Sequence, residues 1–137
     1  MNVNVYTDAS FSIKHKLAAC GYIVFIGWRM VKHDIVLVDN IKSSQQSEIL
    51  AIEFALDYIK DNHILAKSIN VNSDCRSVVL FKGRQNQYKS LKRKIEYFSS
   101  LNIGVSLLHV KAHRRNKNNN KVDESVRDAL RDFISKK

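Results

Sequence analysis

The sequence predicts an α/β fold, a five-stranded mixed sheet whose first three strands form an antiparallel meander, flanked by helices. Three patterns carry this expectation. Strand-like segments fill the first 38 residues, helical and strand-like segments alternate after them, and the last segment repeats its apolar residues with helical period. Asn2 to Thr7 alternates Val3 and Val5 with Asn2 and Asn4, the period of a strand. Leu17 to Trp28 and Met30 to Val38 are rich in Val, Ile, Phe and Tyr, with Gly27 near their junction, and read as an antiparallel pair. Ser43 or Ser44 offers an N-cap for a helix running to about Asn62. Ser68 to Ser73 is a short strand, Cys75 to Phe81 a short helix, Tyr88 to Ser100 a longer basic helix and Ile103 to Val110 an apolar strand. Lys111 to Lys121 reads as a polar loop. Val122 to Ile134 closes the chain as an amphipathic helix with Val122, Val126, Leu130 and Phe133 on one face.

At 137 residues, 1–137 is expected to form a single domain, without room for a second core. Lys and Arg number 23 against 13 Asp and Glu, for a net charge of +10. That excess suits a polyanionic partner, since basic side chains that neutralise phosphates release counterions; it equally suits a solvated basic surface. Cys20 and Cys75 cannot form a disulfide framework, and no Cys/His cluster points to zinc. Both are expected reduced, as in a cytoplasmic compartment. The longest apolar stretch, around Ala18 to Trp28, is too short to span a bilayer, so no membrane association is expected.

With few acidic residues, their placement is informative. Asp8 follows the first strand and Asp74 follows the strand from Ser68. If those strands are parallel neighbours, both carboxylates emerge at the C-terminal edge, where open α/β sheets bind ligands. Asp is also a common turn former at strand ends. Glu48 is sharper. At roughly 100° per residue it shares a helix face with Ile52, Ala55, Leu56 and Ile59, while Glu53, Asp57, Lys60 and Asp61 face the other way. A carboxylate within an apolar face needs a partner, because burying it unpaired costs several kcal/mol; an N-terminal acid also suits the helix dipole. Asp123 opens the final helix, where the dipole again offers an alternative account. Together, two strand ends and two helix starts could converge carboxylates on one spot, and oxygen-only ligands suit Mg²⁺ or Mn²⁺.

The segments YTDAS, SEILAIEFAL, NVNSDCRSVV, and HVKAH with VDESVRDAL ten residues further on, resemble the motifs of type 1 ribonucleases H, in order, from Tyr6 to about Leu130. The resemblance implies a metal-dependent endonuclease that hydrolyses the RNA strand of an RNA–DNA hybrid to 5′-phosphate and 3′-hydroxyl ends. It places Asp8, Glu48, Asp74 and Asp123 on the family's four metal-binding carboxylates and His113 on a histidine that assists catalysis or product release. Gln45 and Gln46 fall where the family touches the hybrid's minor groove, and Ser10 and Arg114 are the other expected substrate contacts. Two Mg²⁺ ions bridged by Asp8, with Mn²⁺ as an alternative, would flank the scissile phosphate. A monomer without an obligate protein partner is expected.

Several positions depart from the family pattern. Ala9 replaces the usual glycine, Phe11 to Leu17 replaces a longer glycine-rich stretch, and Arg114 replaces a small residue. Leu108 or His109 stands where an aromatic residue often precedes the HVKAH-type motif. The segment from Asp74 to His113 is too short for the basic protrusion of many cellular members, and Lys89, Lys92, Arg93 and Lys94 are expected to take its place in part. Two alternatives stay open: a catalytically weak or silent nucleic-acid-binding module on the same fold, and a retroelement-type ribonuclease H domain. Proofreading exonucleases fit less well because they want Asp-x-Glu on the first strand, where this chain reads Asp8-Ala9-Ser10. Transposases and resolvases place their glutamate or last aspartate on a late helix, whereas Glu48 lies on the first helix.

Overall fold

The computed structural model describes residues 2–80, 86–110 and 116–136. Five strands, β1 (Asn2–Ser12), β2 (Leu17–Ile26), β3 (Arg29–Val38), β4 (Ser68–Ser73) and β5 (Gly104–His109), form one sheet in the order β3-β2-β1-β4-β5. The first three are antiparallel, whereas β4 and β5 run parallel to β1. The helices are α1 (Ser44–Asp61), α2 (Arg76–Val79), α3 (Lys89–Ser100, entered through a 3-10 turn at Asn86–Tyr88) and α4 (Lys117–Ser135). The expected mixed sheet flanked by helices is therefore present. Among the described residues no helix is long and apolar enough to cross a membrane.

Strand alternation sorts the core onto two faces. Val3 and Val5 of β1 join Ile52, Leu56 and Ile59 of α1 and Leu91 and Phe98 of α3. On the opposite face Leu17 and Ala19 of β2 meet Val126 and Leu130 of α4. Each large aliphatic side chain removed from water in this way contributes about 1.5–3 kcal/mol. The α1 helix starts where the serines predict. Ser43 Oγ accepts from the Gln46 amide at 3.1 Å, and Gln46 Oε1 accepts from the Lys42 amide at 2.8 Å. The cap and the amide side chain thus close the helix N-terminus from both sides.

The structure corrects three expectations. The first strand does not stop at Thr7: β1 continues to Ser12 because β2 pairs with it along the whole length, Ser12 opposite Leu17. Asp8 accordingly lies inside the strand rather than after it. The final helix starts at Lys117, not Val122, so Lys117 to Lys121 belong to α4 and Asp123 is its seventh residue. Asn116 caps it, its Oδ1 accepting from the Asn119 amide at 2.9 Å, which offsets the weak helix propensity of an Asn-rich run. The rest of the expected loop, 111–115, lies outside the described residues. Glu53, expected to face solvent, is 6% exposed because α3 covers it. There it accepts from Ser90 Oγ at 2.5 Å and pairs with Lys94 Nζ at 3.3 Å.

Candidate metal centre

The last parallel pair between β1 and β4 is Thr7 with Ser73. Asp8, still within β1, and Asp74, the first residue past the end of β4, come next at the C-terminal edge. Beyond this point β1 goes on against β2, while the β4 chain turns away into α2. The sheet opens there, and Glu48, the fifth residue of α1, reaches the gap. One carboxylate oxygen each from Asp8, Glu48 and Asp74 lie within 4.8 Å of one another.

Three carboxylates this close repel, and two of them are buried, Asp8 4% exposed and Glu48 9%. Burial raises the Asp8 pKa to about 7, helped by the negative charge of Asp74 and an interaction with Asp123; a hydrogen bond with Glu48, and the Ala9 amide donating to Oδ1 at 2.8 Å, work against the rise. Burial and the charges of Asp8 and Asp74 push Glu48 up to about 10. Asp8 Oδ2 and Glu48 Oε2 are buried without a hydrogen-bond partner among the described residues. Buried polar atoms are nearly always satisfied. Two orphaned carboxylate oxygens facing one small gap, in an all-oxygen donor set, fit a hard divalent cation. Without one, protons must hold the cluster together.

Asp123 stands at the rim. Its side chain interacts with Asp8, and Arg127 Nη2, one helical turn further on, pairs with its Oδ2 at 3.1 Å. The Asp-x-x-x-Arg spacing in the sequence would have disclosed this brace. Behind Glu48, Cys20 Sγ donates to the Ser47 carbonyl at 3.4 Å. Burial and the charge of Glu48 push this thiol up to about 12, so it packs as an apolar group. Both cysteines are free thiols.

The RNase H family model matches residues 1–131 of the chain. The chain belongs to the RNase H family. No curated protein matches it. Membership places it in a nuclease family, and the cluster of Asp8, Glu48 and Asp74 could hold a metal ion.

The remaining residues predicted for the site of this RNase H domain are placed as follows. Gln45 Nε2 donates to Tyr88 Oη at 2.6 Å and to Ser77 Oγ at 3.0 Å, while its Oε1 accepts from Gln87 Nε2 at 2.7 Å. Its amide therefore ties the first turn of α1 to α2 and to the turn before α3. The Gln46 amide is engaged at the helix cap described above. Ser10 lies on β1 two residues beyond Asp8 and lines a cleft with Arg127, Leu130 and Arg131 of α4. His113 and Arg114 lie outside the described residues. On α3, Lys89, Lys92 and Arg93 are exposed. Lys94 is not available in the same way, since its Nζ pairs with Asp57 at 2.8 Å as well as with Glu53.

Proposed function

We propose that this chain is a divalent-metal-dependent endoribonuclease that hydrolyses the RNA strand of RNA–DNA hybrids, leaving 5′-phosphate and 3′-hydroxyl ends. The observation that carries the proposal is the trio of Asp8, Glu48 and Asp74 at the sheet edge, with two buried oxygens that no donor outside the acidic cluster reaches among the described residues, in a chain of the RNase H family. Asp8, Glu48 and Asp74 hold the cation, Mg²⁺ or Mn²⁺, and Asp123 adds a fourth carboxylate that Arg127 orients from α4. Bound divalent cations supply Lewis acidity toward the scissile phosphate and the attacking water.

The chain's own groups do the rest. In the metal-free protein burial and mutual repulsion favour the protonated forms of Glu48 and Asp8, and those protons leave as the cation enters. The net charge of +10 favours a nucleic acid, and exposed Lys89, Lys92 and Arg93 offer phosphate contacts that do not read sequence. Hybrid is told from duplex DNA by the 2′-hydroxyls of the RNA strand in the wide minor groove. His113, in the HVKAH motif, assists turnover or product release, and Arg114 contacts a phosphate.

The test is cleavage of end-labelled 20-mer duplexes by the purified protein with Mg²⁺, with Mn²⁺ and with EDTA. RNA–DNA hybrid should be cut internally with either metal and not in EDTA, with duplex DNA and duplex RNA left intact. Hybrid binding without cleavage under every metal would instead mark a silent binding module.

A further inference from the structure

The residue opposite Asp8 on β2 is Gly21. Directly opposed residues of an antiparallel pair project to the same face of the sheet. On that face α4 sits so low that a Cβ added at Gly21 would lie 2.5 Å from Val126 Cγ1 and 3.0 Å from Val122 Cγ2. Neither contact is to the end of a flexible side chain. Val122 and Val126 are both fully buried, and β-branched side chains in a helix are held close to one χ1 rotamer. Val126 is packed further by Leu17, Ala19 and Leu130, so it has no room to turn aside. A side chain at position 21 has to be accommodated by lifting the helix.

Those two valines flank Asp123, one residue before it and three after. Whatever displaces them displaces the Asp123 carboxylate, which Arg127 ties to the same helix at 3.1 Å. Asp8 is anchored independently, by β1 pairing and by the Ala9 amide. The gap between Asp8 and Asp123 is therefore set by how closely α4 approaches the sheet at Gly21. Gly21 has ordinary strand geometry, with no positive φ, so its missing side chain serves the approach of the helix and not the backbone conformation.

We propose that Gly21 is a positioning residue for the metal centre: by seating α4 directly against β2 it holds Asp123 beside Asp8 and so completes the cation site. The proposal rests on the reading of the carboxylate cluster as a metal site, and it acts through Asp123 without itself touching metal or substrate. It predicts that position 21 tunes cation affinity while Asp8, Glu48 and Asp74 keep their places.

The experiment measures Mn²⁺ binding to the metal-stripped protein by isothermal titration calorimetry, beside circular dichroism and thermal unfolding, for the wild type, Gly21→Ala, Val126→Ala and the double variant. Deleting the γ-methyls of Val126 removes the nearer clash, so the double variant lets the helix settle again. Gly21→Ala should keep the wild-type circular dichroism spectrum and bind Mn²⁺ at least tenfold more weakly, while the double variant binds within threefold of Val126→Ala alone. If Gly21→Ala does not fold, the same recovery by the double variant carries the test. Affinity within threefold of wild type in Gly21→Ala overturns the proposal. So does a double variant that stays unfolded, or that folds and still binds at least tenfold more weakly than Val126→Ala. Because Mn²⁺ binding is read without substrate, a wild type that binds Mn²⁺ but cuts no hybrid refutes the activity and leaves Gly21 tested. A wild type that binds no Mn²⁺ overturns both.

Discussion

Replacing Glu48 by glutamine should make the metal-free protein more stable at neutral pH. In the folded chain Glu48 is buried beside Asp8, and its pKa is raised from 4.5 to about 10. A carboxyl with a raised folded pKa binds its proton more tightly when folded. Stability is therefore undiminished below the unfolded pKa and falls as pH rises above it. Glu48 remains protonated in the folded chain at pH 7, about 2.5 pH units above 4.5, and at about 1.4 kcal/mol per unit the cost is roughly 3 kcal/mol. Glutamine has the shape of the protonated acid and carries no such linkage. In EDTA at pH 7 the variant should melt about 10 °C higher than wild type, while at pH 4 the two should nearly coincide. Circular dichroism melts across that pH range provide the assay. Saturating Mg²⁺ should narrow the difference by stabilising wild type alone. A glutamine variant less stable than wild type at pH 7, or a gain of equal size at pH 4 and pH 7, would refute the reasoning.

Other consequences follow from the same geometry. Mg²⁺ binding at pH 7 should release protons from the Glu48–Asp8 pair, and fewer as pH rises; calorimetry in two buffers of different ionisation enthalpy counts them, and binding without proton release contradicts the protonated cluster. Lys94→Met leaves Glu53 buried with only Ser90 as partner and should cost about 2 kcal/mol in urea unfolding. Its Mn²⁺ affinity should stay unchanged, because that ion pair joins α1 to α3 away from the carboxylate trio. His113→Ala should slow multiple-turnover hybrid cleavage at least tenfold and leave Mn²⁺ affinity as it was; unchanged kinetics would remove His113 from the site.

What could be read from the sequence was whatever local pattern determines. The alternation in β1 and β4 and an Asp directly after Thr7 and after Ser73 placed two carboxylates at one edge, because parallel register carries equivalent positions to equivalent heights. Glu48 stood out because its helical neighbours are apolar. The structure departs where a distant segment decides. The β1 extension depends on β2, and Glu53 is buried only because α3 lies over α1. The Gln45 amide finds Tyr88, 43 residues away, and a polar residue in the first turn of a helix gives no hint of it. The start of α4 was hidden because Asn116 is one asparagine among several, and only its capping bond distinguishes it. Gly21 was visible as a glycine in a run of apolar strand residues, but its meaning depends on the height of a helix about a hundred residues later.

The central claim is that the buried carboxylates form the metal site of a hybrid-cutting nuclease. Single-turnover cleavage of a labelled RNA–DNA hybrid by wild type and Asp8→Asn, titrated with Mg²⁺ and checked by circular dichroism, tests it most directly. The account predicts saturable Mg²⁺-dependent cleavage by wild type, abolished by EDTA. Asp8→Asn should fold like wild type and cut at least a thousandfold more slowly at every Mg²⁺ concentration. Cleavage by Asp8→Asn at the wild-type rate, or cleavage by wild type that persists in EDTA, would contradict it.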